Sequence, residues 1–143
     1  MSSMSWFYWA LLSAIFAALT AIFAKVGVQG VDSDLATLIR TVVILVVLSA
    51  FVGLSGKWSN PFALSSKTLT FLTLSSLATG ASWVCYFRAL QLGDASKVAP
   101  IDKFSLVLVA LFAVVFLGER PAPREWFGIG CIAAGVIVLA IKR

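Results

Sequence analysis

Residues 91–124 read QLGDASKVAPIDKFSLVLVALFAVVFLGERPAPR, and this stretch decides the fold. Phe104 to Leu117 is an apolar run, with Asp102 and Lys103 at its entrance. Two charges at the mouth of a membrane-spanning helix are costly in hydrocarbon, so they are paired, hydrated or functional. Pro100 precedes them. Its fixed φ and missing N–H suit the first turn of a helix, where that N–H has no intrahelical partner. Beyond the run, Gly118-Glu119-Arg120-Pro121 reads as a helix stop.

The rest of the chain has the same character. Of 143 residues, 61% are hydrophobic and only 12% are charged, too few to cover a surface facing water. The mean hydropathy is +1.03. Apolar stretches of about 20 residues recur, the length that crosses ~30 Å of hydrocarbon. The sequence therefore predicts an all-α polytopic bundle of five transmembrane helices in a lipid bilayer. They are placed at about 6–24, 35–54, 68–90, 97–117 and 126–141, in a single domain over 1–143. The stretch from Trp6 to Ala24 is longer than the apolar core of a signal peptide and no basic segment precedes it, so it is expected to be a retained first span.

Net charge is +5, from bases scattered among the loops with no basic stripe, which argues against nucleic acid as a partner. The chain has no His, and its two cysteines fall inside predicted spans, where they are expected to be small buried apolar residues. Neither a metal site nor a cofactor is expected. No nucleophile motif and no pair of catalytic carboxylates occurs, so an enzyme is not expected and no residue is assigned as catalytic. Glu119 and Glu125 lie in a turn, where solvation and capping account for them.

Each span adds a feature. Trp6, Tyr8 and Trp9 form an aromatic belt at the start of span 1. Ala10, Ala14, Ala17, Ala18 and Ala21 follow at helical spacing as a close-packing face, and Lys25 closes the span. Asp32, Ser33 and Asp34 offer N-caps to span 2. Arg40 lies more than one turn inside it, either snorkelling to the interface or facing a polar cavity. Trp58 and Phe62, in the following loop, are placed at the membrane surface. Span 3 is the most polar, and Ser75, Thr79, Ser82, Trp83 and Tyr86 share one of its faces. Those hydroxyls either bond to their own helix and its neighbours, or line a substrate pocket with the two aromatics. Arg88 ends span 3. Spans 4 and 5 form an antiparallel hairpin, and Gly130 with Ala134 gives span 5 a small-residue packing face.

Five crossings put the termini on opposite sides. Lys57, Lys67, Arg120 and Arg124 fall on one side, and Lys25, Arg88, Lys97, Lys142 and Arg143 on the other. Orientation normally follows a clear Lys/Arg excess in cytoplasmic loops. The near balance here has two readings, one fixed orientation or insertion both ways up. Five short helices enclose little space, and many transporters hold substrate between two repeats of opposite topology. Two oppositely inserted copies build the same object as an antiparallel homodimer.

Ala89-Leu-Gln-Leu-Gly-Asp-Ala-Ser-Lys-Val-Ala-Pro-Ile101, Leu117-Gly-Glu-Arg120, Trp126-Phe-Gly-Ile-Gly130 and Ala134-Gly-Val-Ile137 resemble, in order and spacing, the EamA repeat of the drug/metabolite transporter superfamily. Lys25 at the end of span 1 and Arg40 early in span 2 fit as well. The resemblance covers nearly the whole chain. Most members look like two such repeats in tandem; this chain is similar to the half-length, five-span type. What the resemblance implies is alternating-access movement of a small-molecule substrate across the bacterial inner membrane. It does not carry over a substrate class, because Asp102-Lys103 departs from the uncharged residues of many longer members.

The residues expected to bind substrate or couple its movement are Asp102, Lys103, Arg40, Lys25, Trp83, Tyr86, Thr79 and Ser82. Asp102 is the candidate carrier of a coupling proton. Lys103 and Arg40 are candidates for a carboxylate or phosphate, with Trp83 and Tyr86 against the apolar part of the substrate. The competing reading of Asp102–Lys103 is a structural pair that locks span 4. The alternative for the whole chain is a non-transporting membrane subunit or assembly partner of another protein.

Overall fold

The computed structural model describes residues 5–141, apart from the side chains of Ser5 and Phe62. All regular structure among them is helical: α1 (Ser5–Gly27), α2 (Ser33–Leu54), α3 (Ser66–Leu92), α4 (Ala95–Asp102), α5 (Ser105–Phe112) and α6 (Pro123–Ala140). A single 3₁₀ turn, Pro61–Ala63, sits in the loop before α3, and a π turn, Ala113–Leu117, extends α5. Five stretches are long and apolar enough to cross a bilayer, the fourth being Ala95–Leu117. The flanks are apolar as well: Trp9 is 72% exposed and Val46 62%, side chains a bilayer takes in and water rejects.

Local chemistry sets the helix ends. Of the three candidate caps for α2, Asp32 is the one used. Its carboxylate accepts from the N–H groups of Asp34 (2.9 Å) and Leu35 (3.1 Å). The Ser65 hydroxyl accepts from the Thr68 N–H at 3.1 Å, so α3 begins two residues earlier than expected and runs on past Arg88 to Leu92. The Glu125 carboxylate accepts from the Ala122 N–H at 2.6 Å, the capping role expected of it.

The fourth span corrects the sequence reading. Its helix begins at Ala95, so Pro100 is inside α4 and not in a first turn. Asp102 and Lys103 accordingly lie about 10 Å along the span at 1.5 Å per residue, not at its mouth. Proline removes one i→i−4 bond and crowds the carbonyl four residues back. The chain responds by tightening. Lys103 N–H donates to the Pro100 carbonyl (3.1 Å), Phe104 N–H to Ile101 (3.0 Å) and Leu106 N–H to Lys103 (3.0 Å), and the helix restarts as α5.

The stop at Gly118 is made as the sequence predicts. Gly118 adopts φ +68°, and both its N–H and that of Glu119 turn back to the Ala113 carbonyl, the latter at 3.2 Å. The π turn lengthens this closure by one residue. A Cβ at Gly118 meets nothing within 4 Å, so only backbone strain opposes a side chain there. Gly118→Ala is expected to cost about 1 kcal/mol, and Gly118→Asn less, in a denaturation titration.

Packing divides the chain into two compact units, one of Ile22–Leu92 and one of the residues up to Ala21 together with Gly93 onward. In the first, α2 packs on α3; in the second, α4 and α5 pack on α6, giving the expected hairpin. The α6 face used is Ile129, Ala133 and Val136, at i, i+4 and i+7, and Val136 is buried. One expectation is corrected here, the burial of Cys85 and Cys131. Gly130 and Ala134 lie off that face and are exposed on this chain, as are Ala10, Ala14, Ala17 and Ala18 of α1; only Ala21 of that row is buried. Cys85 and Cys131 are free and exposed too, because each sits on a helix side turned away from its packing partner. Trp58 is 67% exposed. The Phe62 side chain, Lys142 and Arg143 lie outside the described residues.

Candidate functional site

The Ile22–Leu92 unit is tied together at one end. Among the described residues Leu90 and Val28 are the largest fully buried side chains, and Ala24, Ser33, Thr37 and Phe87 of the same unit are buried as well. Three polar ties bridge chain segments far apart in sequence. Lys25 Nζ donates to the Leu90 carbonyl at 2.6 Å. Gln91 Nε2 donates to the Val31 carbonyl at 2.9 Å. Arg88 Nη2 donates to both carboxylate oxygens of Asp34, at 3.0 and 2.9 Å. The first two satisfy carbonyls that a helix end and a short loop otherwise leave without partners. Lys25 and Arg88 are thereby held to backbone and acid.

Arg40 is placed differently. It is half-buried, about 10 Å from the start of α2. Its guanidinium carbon lies 4.3 Å from the ring centre of Trp83 and 5.3 Å from that of Phe87, both on α3. Cation–π attraction to two rings replaces hydration that the hydrocarbon depth of the span denies it. Among the described residues no carboxylate or carbonyl meets its N–H groups. Arg40 thus neither snorkels free nor is neutralised.

Beyond Trp83 runs an open groove of about 310 Å³ between α2 and α3. Thr41 lines it from α2; Leu72, Ser75, Ser76, Thr79, Gly80 and Trp83 line it from α3. Three of its hydroxyls donate to carbonyls one turn back: Thr41 to Thr37 (2.8 Å), Ser76 to Leu72 (2.8 Å) and Thr79 to Ser75 (2.9 Å). With their protons committed, they offer the groove lone pairs alone.

In the other unit, Lys103 Nζ donates to Asp102 Oδ2 at 3.4 Å, and both side chains are partly exposed on the chain. Neighbouring residues of a regular α-helix point about 100° apart and do not face one another. The tightened turn at Lys103 and Phe104 brings these two together. A discontinuous span carrying charge is the form in which membrane transporters commonly hold substrate or ions.

Of the eight residues expected from sequence, Trp83 and Thr79 line one groove, and Arg40, though not itself a wall, lies against Trp83. Ser82 and Tyr86 do not line it; the Tyr86 ring instead meets the edge of Phe87 at 6.5 Å. Lys25 sits at the tied end, and Asp102 with Lys103 in the separate unit. The sequence reading missed Phe87 as the second ring on Arg40 and Thr41, Ser76 and Gly80 as groove walls. Phe87 follows Trp83 by one turn, and Thr41 adjoins Arg40, so helical spacing carried both signals.

Comparison with known proteins agrees with this architecture. Residues 4–141 match the model of the EamA-like transporter family. A Sinorhizobium sp protein described as an uncharacterized transporter in cobO 3'region is 60% identical over 139 residues, covering 97% of this chain and 99% of its own. The probable 4-amino-4-deoxy-L-arabinose-phosphoundecaprenol flippase subunit ArnE of Yersinia pestis (strain Pestoides F) is 31% identical over 84 residues, 58% of this chain and 74% of its own. No solved structure matches.

Proposed function

The chain belongs to the EamA-like transporter family, and we propose that it moves a small metabolite across the bacterial inner membrane as a secondary transporter, two copies working as an antiparallel homodimer by alternating access. The observation that supports this reading is the break in the fourth apolar span at Lys103, beside Asp102, about 10 Å from the start of that span. Intramembrane charge on a discontinuous helix is expensive, and its usual compensation is a pathway for substrate or ion. In this reading the whole of 1–143 is one transmembrane domain. Asp102 carries the coupling proton. Lys103 and Arg40 hold an anionic group, Trp83 and Tyr86 flank the substrate's apolar part, and Thr79, Ser82 and Lys25 supply polar contacts or fix the helices that do.

Two features support the dimer. Ala10, Ala14, Ala17 and Ala18 of α1 and Gly130 and Ala134 of α6 are exposed on this chain, and small residues are what closely packed membrane helices use. The bases are divided nearly evenly between the two sides, which removes the usual bias for one orientation.

One observation favours a second reading, a subunit without transport of its own: the Yersinia pestis relative is named a flippase subunit. Orientation separates the two. Single cysteines at Gln29 and at Ser59, in loops on opposite sides, are placed in a chain with Cys85→Ala and Cys131→Ala. They are then labelled in intact cells with an impermeant maleimide. Each site is expected to label to about half, as two orientations in equal number require. Full labelling at one site and none at the other would give a single orientation and put the subunit reading first.

A further inference from the structure

From the pairing of Arg40 with the groove beside it, we infer that the Ile22–Leu92 unit carries a subsite for an organic anion whose body bears O–H or N–H donors, and that it rejects organic cations. This deepens the role given to Arg40 above and rests on it. The guanidinium lies over the rings of Trp83 and Phe87, and its N–H groups meet no carboxylate or carbonyl among the described residues. Contact with the two rings holds the guanidinium beside Trp83, and its fork of N–H donors is suited to two oxygens of one carboxylate or phosphate. The other cations at this end are already engaged, Arg88 by Asp34 and Lys25 by the Leu90 carbonyl.

The groove supplies the second half of the recognition. Thr41 adjoins Arg40 in sequence, and Trp83 is both a wall of the groove and a ring on Arg40. Because the hydroxyls of Thr41, Ser76 and Thr79 have given their protons to helix carbonyls, they accept and do not donate. A ligand that satisfies them brings donors. Among the described residues no acidic side chain lines the groove, so nothing in it balances a cation, and Arg40 repels one.

The test uses the full chain in nanodiscs, with Cys85→Ala, Cys131→Ala and Thr79→Cys. Modification by the anionic sulfonatoethyl methanethiosulfonate is compared with modification by the cationic trimethylammonium-ethyl reagent, each normalised to its rate at Ser59→Cys in the exposed loop. The anion is expected to be favoured at position 79 by roughly tenfold, the size of effect that a charge in a low-dielectric cleft produces. Arg40→Gln is expected to abolish the preference and Arg40→Lys, which keeps the charge, to retain most of it. Protection by sn-glycerol 3-phosphate is then expected where inorganic phosphate at equal concentration gives none. If the anion is lipid-borne, adding phosphatidylglycerol to the nanodisc protects the thiol at position 79 and glycerol 3-phosphate does not. Equal rates for the two reagents, a preference that survives Arg40→Gln, or no protection by either the free or the lipid-borne glycerol phosphate would overturn the inference. None of these readouts involves flux or orientation, so the dimer and the subsite fail separately.

Discussion

Leu90→Ala is expected to lower the free energy of unfolding by about 2–5 kcal/mol, the cost of emptying a fully buried leucine site. Leu90 is 0% exposed and Val28, in the same unit, 1%. The site has little freedom to collapse, because three polar ties hold its walls: Lys25 to Leu90, Gln91 to Val31 and Arg88 to Asp34. The ties join the end of α1, the start of α2 and the end of α3, so a void there cannot be closed by moving one helix alone. The measurement is a dodecyl sulfate titration of the full chain in mixed micelles, followed by circular dichroism. Val43→Ala is the control. Val43 is 56% exposed on α2 and faces detergent or lipid, so its truncation is expected to change stability by no more than about 0.5 kcal/mol. Equal effects at the two positions would mean that the tied end is not the core of this unit.

The second large effect is expected at the broken span. Asp102→Asn strands the Lys103 ammonium at hydrocarbon depth, and Lys103→Met strands the Asp102 carboxylate. Each single change is expected to destabilise by about 2–3 kcal/mol, near the cost of one unpaired charge in the middle of a spanning helix. The double variant Asp102→Asn/Lys103→Met is expected to recover most of that loss, since removing both members leaves no charge to desolvate. The non-additivity is the signal, read in the same titration as a double-mutant cycle. Additive losses would show that the 3.4 Å contact carries no coupling and that each group is solvated independently. A recovered double variant gives a folded protein without the charges, in which the transport role of Asp102 can then be assayed.

Much of this protein is set one segment at a time and is therefore legible in the chain. Bilayer thickness fixes how long an apolar stretch must be, so composition alone located five spans and the turns between them. Glycine's freedom at positive φ marked the stop at Gly118, and carboxylates at helix starts marked Asp32 and Glu125. The face shared by Ser75, Thr79 and Trp83 followed from the 3.6-residue repeat.

What the sequence could not decide is what meets what. Spacing put Arg40 inside a span but not against Trp83 and Phe87, because cation–π contact depends on how α2 is rotated about its axis beside α3. It gave Asp34 as a cap, yet Asp34 faces Arg88, a partner 54 residues away that only the packed helices bring near. It set Pro100 at a helix start and the charged pair at a membrane edge. The tertiary structure instead carries the helix through the proline and breaks it at Lys103, because α4 and α5 both pack on α6 and so keep the span continuous on either side of the turn. Local chemistry reads out from one residue and its near neighbours; rotation, register and long-range pairing are properties of two helices together.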